Sequence, residues 1–149
     1  MPSTQASVLI ARPVAEAWEY IINAGNLASW EPSVVDAEQV TEGPVTVGTQ
    51  FRGKSSLLGA KFSWIGEFSV VERNVRTAFK STANIFAFNN SAMFEEIGEA
   101  STRFTYRIEG ESGLGGLFGT LTDNAVIKAY GRTLRANLES LSEILSHGF

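Results

Sequence analysis

The residues of this sequence best suited to chemistry are amides and hydroxyls that recur in phase with aromatic side chains. Alternate positions of a β-strand point to the same face, and counting in twos places Asn90 and Tyr106 on faces that carry phenylalanines. In the last segment, Asn124 and Tyr130 fall on the apolar side of a helical pattern. Because a buried amide or hydroxyl is costly unless it is hydrogen-bonded, these side chains are candidates for orienting a ligand.

Three of these four polar residues also have an interpretation that needs no ligand. A buried tyrosine commonly bonds to a backbone carbonyl, which would explain Tyr106 and Tyr130 without a ligand. Asn90 follows Asn89 directly, and the pair would also fit a bulge or a turn. The sequence alone leaves both interpretations open.

The charged residues of the same segments fall on the opposite strand faces. They are Arg52, Lys54, Glu67, Lys80, Arg103 and Arg107. We therefore predict an interior that is polar only through amides and hydroxyls, with Ser55, Ser81 and Thr102 among the latter. Because acid–base catalysis needs a titratable group beside the substrate, this pattern favours ligand binding over catalysis.

Aromatic residues dominate the period-two segments and are predicted to line an interior that takes a ligand. Packing in an ordinary core explains the same aromatic residues equally well. The predicted ligand-binding residues are Phe51, Trp64, Phe68, Phe79, Phe88, Asn90, Phe104, Tyr106, Asn124 and Tyr130. Phe86 and Phe94 share the pattern, and no catalytic residue is assigned.

Composition narrows the classes of function. The chain has 149 residues, of which 44% are hydrophobic and 19% charged, with a net charge of −4 and no cysteine. The absence of a basic stripe argues against nucleic acid, and the absence of thiols excludes disulfides, thiolate catalysis and zinc–sulfur sites. His147, the only histidine, is predicted to be exposed near the end of the last helix. We therefore expect neither a metal site nor a cofactor.

Two further expectations concern location and partners. Residues 1–7 lack the basic and apolar regions of a signal peptide, and no apolar run approaches the ~20 residues of a membrane-spanning helix. We therefore expect a cytoplasmic protein, a single domain over residues 1–149, whose partner is a lipophilic small molecule. The sequence does not indicate an oligomeric state.

A change of periodicity divides the chain into its elements. A first strand is followed by a helix that begins at Pro13, and Asn26–Trp30 is predicted to form a short helical turn. The segments from Ser33 onward have period two and short turns, which predicts antiparallel neighbours. The predicted strands cover residues 5–11, 33–40, 49–57, 62–70, 77–81, 86–94 and 102–108, with Val70 on the same face as Phe68.

The last segment predicts one long helix. Its apolar residues recur at steps of three and four and are Ile127, Tyr130, Leu134, Leu138, Leu141 and Leu145. A start near Leu114 or at Thr122 would give a helix of about 30 residues, or ~45 Å. Because a straight helix cannot touch a twisted sheet evenly, we expect a gap between them that suits a small apolar ligand.

Three stretches carry a resemblance to a known family. Residues 10–18 (IARPVAEAW) combine a strand end with a helix led by proline, and residues 26–32 (NLASWEP) place a tryptophan shortly before a proline. Residues 101–106 (STRFTY) are similar to a last strand led by Gly-Thr-Arg. With the order of elements, these stretches resemble the START-like, or SRPBCC, superfamily, and within it the bacterial polyketide cyclase/dehydrase group.

This resemblance implies both a fold and a cavity. The fold is α+β and is called helix-grip: a curved antiparallel sheet of about seven strands wraps around a long C-terminal helix, with two short helices after the first strand. The turn at residues 72–76 lacks the proline common in the family. The family implication is an internal cavity used for lipophilic ligands or for cyclising bound polyketides.

Two functional hypotheses follow, and a third has no motif in its favour. The leading hypothesis is the binding of a hydrophobic, aromatic or polycyclic small molecule. The alternative is a polyketide cyclase or dehydratase that holds a flexible chain in a reactive arrangement, with Tyr106, Tyr130 or Asn90 assisting enolisation. The third hypothesis, an interaction module acting on another protein, draws only on relatives within the superfamily.

Overall fold

The computed structural model describes residues 3–57, 59–82, 88–110 and 123–146. The strands are β1 (Ser3–Ile10), β2 (Val34–Gln39), β3 (Gln50–Leu57), β4 (Ala60–Glu72), β5 (Arg76–Ser81), β6 (Phe88–Gly98) and β7 (Ser101–Gly110). The helices are α1 (Val14–Ile21), a 3₁₀ helix (Ala24–Ser29) and α2 (Asp123–Ser146). Phe86, His147 and the predicted start of the long helix before residue 123 lie outside the described residues.

The seven strands form one antiparallel sheet in the order β1-β7-β6-β5-β4-β3-β2. From β2 to β7 each strand pairs with the next along the chain, which is the antiparallel arrangement that the sequence predicts. Strand β1 closes the other edge by pairing with β7 over its whole length. The sheet curls into a half barrel with the C-terminal helix, which confirms the predicted helix-grip fold.

The two short helices after β1 also agree with the sequence. Pro13 precedes α1 as its N-cap residue, and the helix buries Ala17 and Trp18. The predicted helical turn is the 3₁₀ helix, where the Asn23 side chain accepts a hydrogen bond from the backbone N–H of Gly25. Helix α1 ends at Ile21, and this cap begins the 3₁₀ helix that follows it.

One predicted strand face is wrong because β4 contains a bulge. Phe68 pairs with Phe79, but Val70 pairs with Ala78, so one residue of β4 has no counterpart on β5. The extra residue reverses the alternation of side chains beyond it. Val70 is therefore only half-buried and belongs to neither apolar cluster, whereas Val71 packs against the core in its place.

Helix α2 packs along the β1 side of the sheet. It has 24 residues, which corresponds to ~36 Å. Its buried face includes all six predicted apolar positions together with Val126. At Gly131 a Cβ atom would lie 2.5 Å from Thr4 Oγ1, so the absence of a side chain allows α2 to approach β1 this closely.

Two apolar clusters make up the core. The first joins α2 and α1 to β1, β6 and β7, and the second joins β3, β4 and β5 to the 3₁₀ helix and contains no residue of α2. Helix α2 thus packs on one part of the sheet, and the other part packs against the 3₁₀ helix instead. The predicted uneven contact between a straight helix and a twisted sheet is the physical reason.

Candidate functional site

A cavity lies where the two clusters meet, between α2 and the sheet. Its volume is about 110 Å³, counted as the space open to the centres of water-sized spheres. A single water molecule needs about 10–15 Å³ by this measure, so the cavity is large enough for a small organic molecule. Eight of the predicted ligand-binding residues line it: Phe51, Trp64, Phe68, Phe79, Phe88, Asn90, Tyr106 and Tyr130.

The other two predicted residues do not line the cavity. Phe104 is fully buried, and its ring packs against Trp30 at 5.5 Å and Phe94 at 5.1 Å, so these two cavity-lining side chains cover it. Asn124 is exposed, because it is only the second residue of α2 and the buried stripe begins at Val126. The prediction that Asn124 falls on the apolar side of the helix is wrong.

Phe51, Trp64, Phe68 and Phe79, on β3–β5, form the aromatic wall of the cavity. Two glycines explain how the rings of this wall lie close to the strands. A Cβ at Gly66 would come within 2.5 Å of the Phe79 ring, and one at Gly53 within 2.6 Å of the Trp64 ring. The Trp64 and Phe79 rings, 6.0 Å apart and nearly perpendicular, therefore occupy space that side chains at these positions would fill. Sequence periodicity places the aromatics on the correct face, and the glycines set how close to the sheet they lie.

Several hydroxyls predicted for the interior are bonded within the protein. Trp64 Nε1 donates to Ser55 Oγ at 2.9 Å. Ser81 Oγ accepts from the backbone N–H of Phe88, and Thr102 Oγ1 donates to the backbone carbonyl of Arg12. These hydroxyls thus have structural partners.

Asn90 is in regular β-structure rather than in a bulge or a turn. It pairs with Phe79 on β5 and with Ile108 on β7 without a register shift. Its side chain is half-buried and borders the cavity. An amide in this position offers a donor and an acceptor to a ligand.

The charged residues of the strands face outward, as predicted. Both side chains of each ion pair are 32% exposed or more, and the pairs join Arg52 to Glu38, Lys80 to Glu67, Arg103 to Glu95, and Arg107 to Glu109. Pairs of this kind contribute only about 0–1 kcal/mol to stability. Of these residues only Glu109, at the end of β7, also borders the cavity, and its carboxylate is paired with Arg107.

Glu31 contradicts the prediction that every carboxylate faces water. It follows the 3₁₀ helix, is only 6% exposed and lines the cavity. Its Oε1 accepts hydrogen bonds from Tyr130 Oη at 2.5 Å and from the backbone N–H of Ser33 at 3.2 Å. Ser33 Oγ donates to Oε2 at 2.9 Å and lies 3.2 Å from Oε1.

Tyr106 joins Glu31 and Tyr130 in this hydrogen-bonded group and also lines the cavity. Its hydroxyl is hydrogen-bonded to that of Tyr130, which donates its own hydrogen to Glu31. Three buried oxygen-bearing side chains from the loop, β7 and α2 therefore form one chain: Tyr106, Tyr130 and Glu31. Such a chain can pass a proton between the carboxyl group and a molecule bound beside Tyr106.

Burial governs the ionisation of this chain. Desolvation raises the pKa of the Glu31 carboxyl above its usual value, and the hydrogen bonds from Tyr130 and Ser33 offset only part of the rise. The pKa values of Tyr106 and Tyr130 are both raised well above 10.0. Desolvation is the largest cause, and the negative charge of the neighbouring Glu31 is the second. Both tyrosines are therefore protonated near neutral pH.

Glu31 was missed because it belongs to no periodic element. Strand phase and helix phase assign faces only within regular structure, and Glu31 stands in the loop between the 3₁₀ helix and β2. The one signal in the sequence is the neighbouring Trp30, because tryptophan is a large apolar residue that tends to be buried.

Trp30 adds an unused donor to the same end of the cavity. It is 2% exposed, and its ring meets that of Tyr106 at 5.0 Å in a T-shaped contact. Within the described ranges its Nε1 has no hydrogen-bond partner. A buried N–H without a partner costs about 1–3 kcal/mol, which a ligand acceptor would recover.

The half-barrel sheet, the long helix and the lined cavity define the helix-grip class of START-like proteins. The sequence profile of the family described as polyketide cyclase / dehydrase and lipid transport matches residues 1–145, so the chain belongs to that family. Family and fold support hydrophobic ligand binding or a polyketide cyclase-type function in general. No curated protein sequence matches the chain.

Solved structures show the same fold at low sequence identity. A START superfamily protein from Mycobacterium smegmatis has a TM-score of 0.75 and 14% identity, with 97% of each chain covered. A protein from Thermus thermophilus has a TM-score of 0.73 and 23% identity, with 95% of each chain covered. The Zhui aromatase/cyclase from Streptomyces sp. R1128 has a TM-score of 0.69 and 16% identity, over 95% of this chain and 93% of that one.

A helix that crosses a lipid bilayer has to be about 20 residues long and predominantly apolar. Within residues 3–57, 59–82, 88–110 and 123–146, no helix is both long enough and apolar enough to cross a membrane.

Proposed function

We propose that this protein binds a hydrophobic, aromatic or polycyclic small molecule in the cavity between α2 and the sheet. The observation that carries the proposal is the cavity itself, which has an aromatic wall on one side and a short row of polar groups on the other. Mostly apolar walls with a few placed polar groups are typical of small-molecule sites. The family and the fold support the same general function.

Apolar burial supplies most of the expected affinity. Removing about 200 Å² of apolar ligand surface from water would contribute about 5 kcal/mol. Asn90, Tyr106 and Trp30 Nε1 would then fix the orientation of the ligand through hydrogen bonds. This division of roles explains why so few polar residues are present.

Filling the cavity tests the proposal. Ala92 lines the cavity, whereas Ala78 lies on the other face of the sheet and is not part of the lining. We expect Ala92→Leu to weaken the binding of tetralin, a neutral bicyclic hydrocarbon, by about tenfold, because the added methylene groups occupy ligand space. Isothermal titration calorimetry measures the change.

Ala78→Leu is the matched control, and its affinity for tetralin should stay within about twofold of the unaltered protein. Equal affinities for all three proteins would place the bound hydrocarbon elsewhere and contradict the proposal.

A second candidate function is a cyclase or dehydratase, and Glu31 is the observation that favours it. A buried carboxylate can accept a proton from a carbon next to a carbonyl group, and the enolate carbon can then attack a second carbonyl of the same chain. A C–C bond forms while the C–O π bond of the second carbonyl breaks, and the protonated Glu31 returns its proton to the resulting alkoxide. In a dehydratase, Glu31 then removes a second proton from the carbon that was deprotonated first, a C=C bond forms, and the hydroxyl takes up a proton and leaves as water. Tyr106 and Tyr130 would carry protons between Glu31 and the ligand.

Turnover and binding distinguish the two candidates. For an enzyme, Tyr130→Phe should lower kcat with an acyclic polyketone at least about a hundredfold while changing the Kd of tetralin by less than about threefold. If no polyketone is converted by the unaltered protein, the binding function stands alone.

A further inference from the structure

Within the described part of the chain, Glu31 has no cationic partner. Among all the described residues it is the only buried charged side chain, and none of the ion pairs formed there includes it. Its neighbours are two hydroxyls, one backbone N–H and aromatic rings. A buried carboxylate is normally paired, so the missing positive charge needs an explanation.

The contacts of Glu31 leave one side of the carboxylate available. A carboxylate has about four lone-pair positions. Oε1 is close to three donors, from Tyr130 Oη and from the N–H and Oγ of Ser33, whereas Oε2 accepts from Ser33 Oγ alone in the described part of the chain. Since Glu31 is a lining residue, a donor on a bound ligand can complete the shell of Oε2.

Aromatic rings surround the same end of the cavity. Trp30, Tyr106 and Tyr130 all line it, and the Trp30 and Tyr106 rings are 5.0 Å apart. Ring faces attract organic cations, with tryptophan the most effective. A carboxylate beside tryptophan and tyrosine rings is therefore complementary to an organic cation.

We propose that the ligand of this cavity carries a protonated amine, which pairs with Glu31 while its ring system lies against the aromatic wall of β3–β5. The inference rests on the proposed binding function and specifies its ligand class as hydrophobic amines. A metal ion is a poor substitute, since the described residues contain no group of three or more acidic, histidine or cysteine side chains to hold one. A water molecule would leave the negative charge of Glu31 uncompensated.

Two probes of equal shape test this inference. The first is 2-aminotetralin, which is protonated at neutral pH, and the second is 2-methyltetralin, in which a methyl group replaces the ammonium group. We expect the unaltered protein to bind the amine at least about tenfold more tightly at pH 8, because a desolvated charge-assisted hydrogen bond forms only with the amine. Isothermal titration calorimetry measures both affinities.

Two variants assign the preference to Glu31. Glu31→Gln should remove the preference for the amine and leave the affinity for 2-methyltetralin within about threefold. Glu67→Gln, which neutralises an exposed carboxylate on the outer face, should keep the preference. The comparison of the two probes on the unaltered protein decides whether the cavity prefers a cation even if Glu31→Gln does not fold.

The outcomes separate this inference from the function it depends on. If 2-methyltetralin binds as tightly as the amine, the proposed cation site is wrong and the hydrophobic binding function stands. If neither probe binds, both proposals are overturned. An amine preference that survives Glu31→Gln would place the cation at another residue and would also overturn the inference.

Discussion

Glu31→Gln is expected to stabilise the protein near neutral pH and to flatten the dependence of its stability on pH. Burial raises the pKa of Glu31 in the folded state above the value of 4.5 that applies to an exposed carboxyl. Between these two pKa values the folded protein holds a proton that the unfolded chain has lost. The free energy of unfolding therefore falls as pH rises through this window, by up to about 1.4 kcal/mol per pH unit.

Glutamine keeps the shape of this side chain and removes the titration. Its carbonyl oxygen can still accept from Tyr130 and Ser33, as Oε1 of Glu31 does. Urea unfolding at several pH values from 4.5 to 8 should show the advantage of Glu31→Gln growing as pH rises and then becoming constant. Glu67→Gln should show no such trend, because its carboxylate is partly exposed and paired with Lys80.

The opposite dependence of the free energy of unfolding on pH would contradict this prediction. If the unaltered protein gained stability relative to Glu31→Gln as pH rose, the hydrogen bonds from Tyr130 and Ser33 would outweigh desolvation. The pKa of Glu31 would then be lowered in the folded protein, and the carboxylate would not need a cationic ligand.

Leu138→Ala is expected to lower the free energy of unfolding by about 2–5 kcal/mol. Leu138 lies in the middle of α2, is 1% exposed and belongs to the cluster that joins the helix to β1, β6 and β7. The truncation removes apolar contacts and leaves a void that close packing on both sides prevents from collapsing. Urea unfolding measures the loss.

Ile144→Ala is the matched control on the same helix. Its side chain is 39% exposed, so truncation should cost less than about 1 kcal/mol. Similar losses of unfolding free energy at both positions would show that the buried apolar face of α2, which includes Leu138, does not hold the helix on the sheet.

Periodicity predicts most of the fold and the aromatic half of the site. Alternation identifies the strands and places Trp64, Phe79 and Asn90 at the cavity, because strand faces follow directly from counting in twos. Steps of three and four identify the buried face of α2 in the same way. These rules depend only on local geometry, which the sequence determines residue by residue.

Predictions from periodicity are wrong where the chain departs from regular geometry. The bulge in β4 turns Val70 away from the core and brings Val71 against it, and no residue in the sequence marks the position of the extra residue. Asn124 is in phase with the helix but precedes the part of α2 that is buried. Both errors arise from assuming that a pattern continues to the end of its element.

The polar half of the site depends on tertiary structure. Glu31 and Tyr130 are 99 positions apart in sequence, and their hydrogen bond exists only because α2 crosses above the loop that follows the 3₁₀ helix. Likewise, Phe104 lies on the predicted face of β7 but is covered by Trp30, which comes from that same loop. The position of a loop relative to a helix is set by packing, which a single sequence does not reveal.

Native mass spectrometry of the protein purified from its own host tests the central claim most directly. The cavity between α2 and the aromatic wall predicts a retained organic molecule, released on unfolding, in the protein but not in Ala92→Leu prepared in the same way. A protein that carries no added mass and also binds neither tetralin nor its amine would contradict the account.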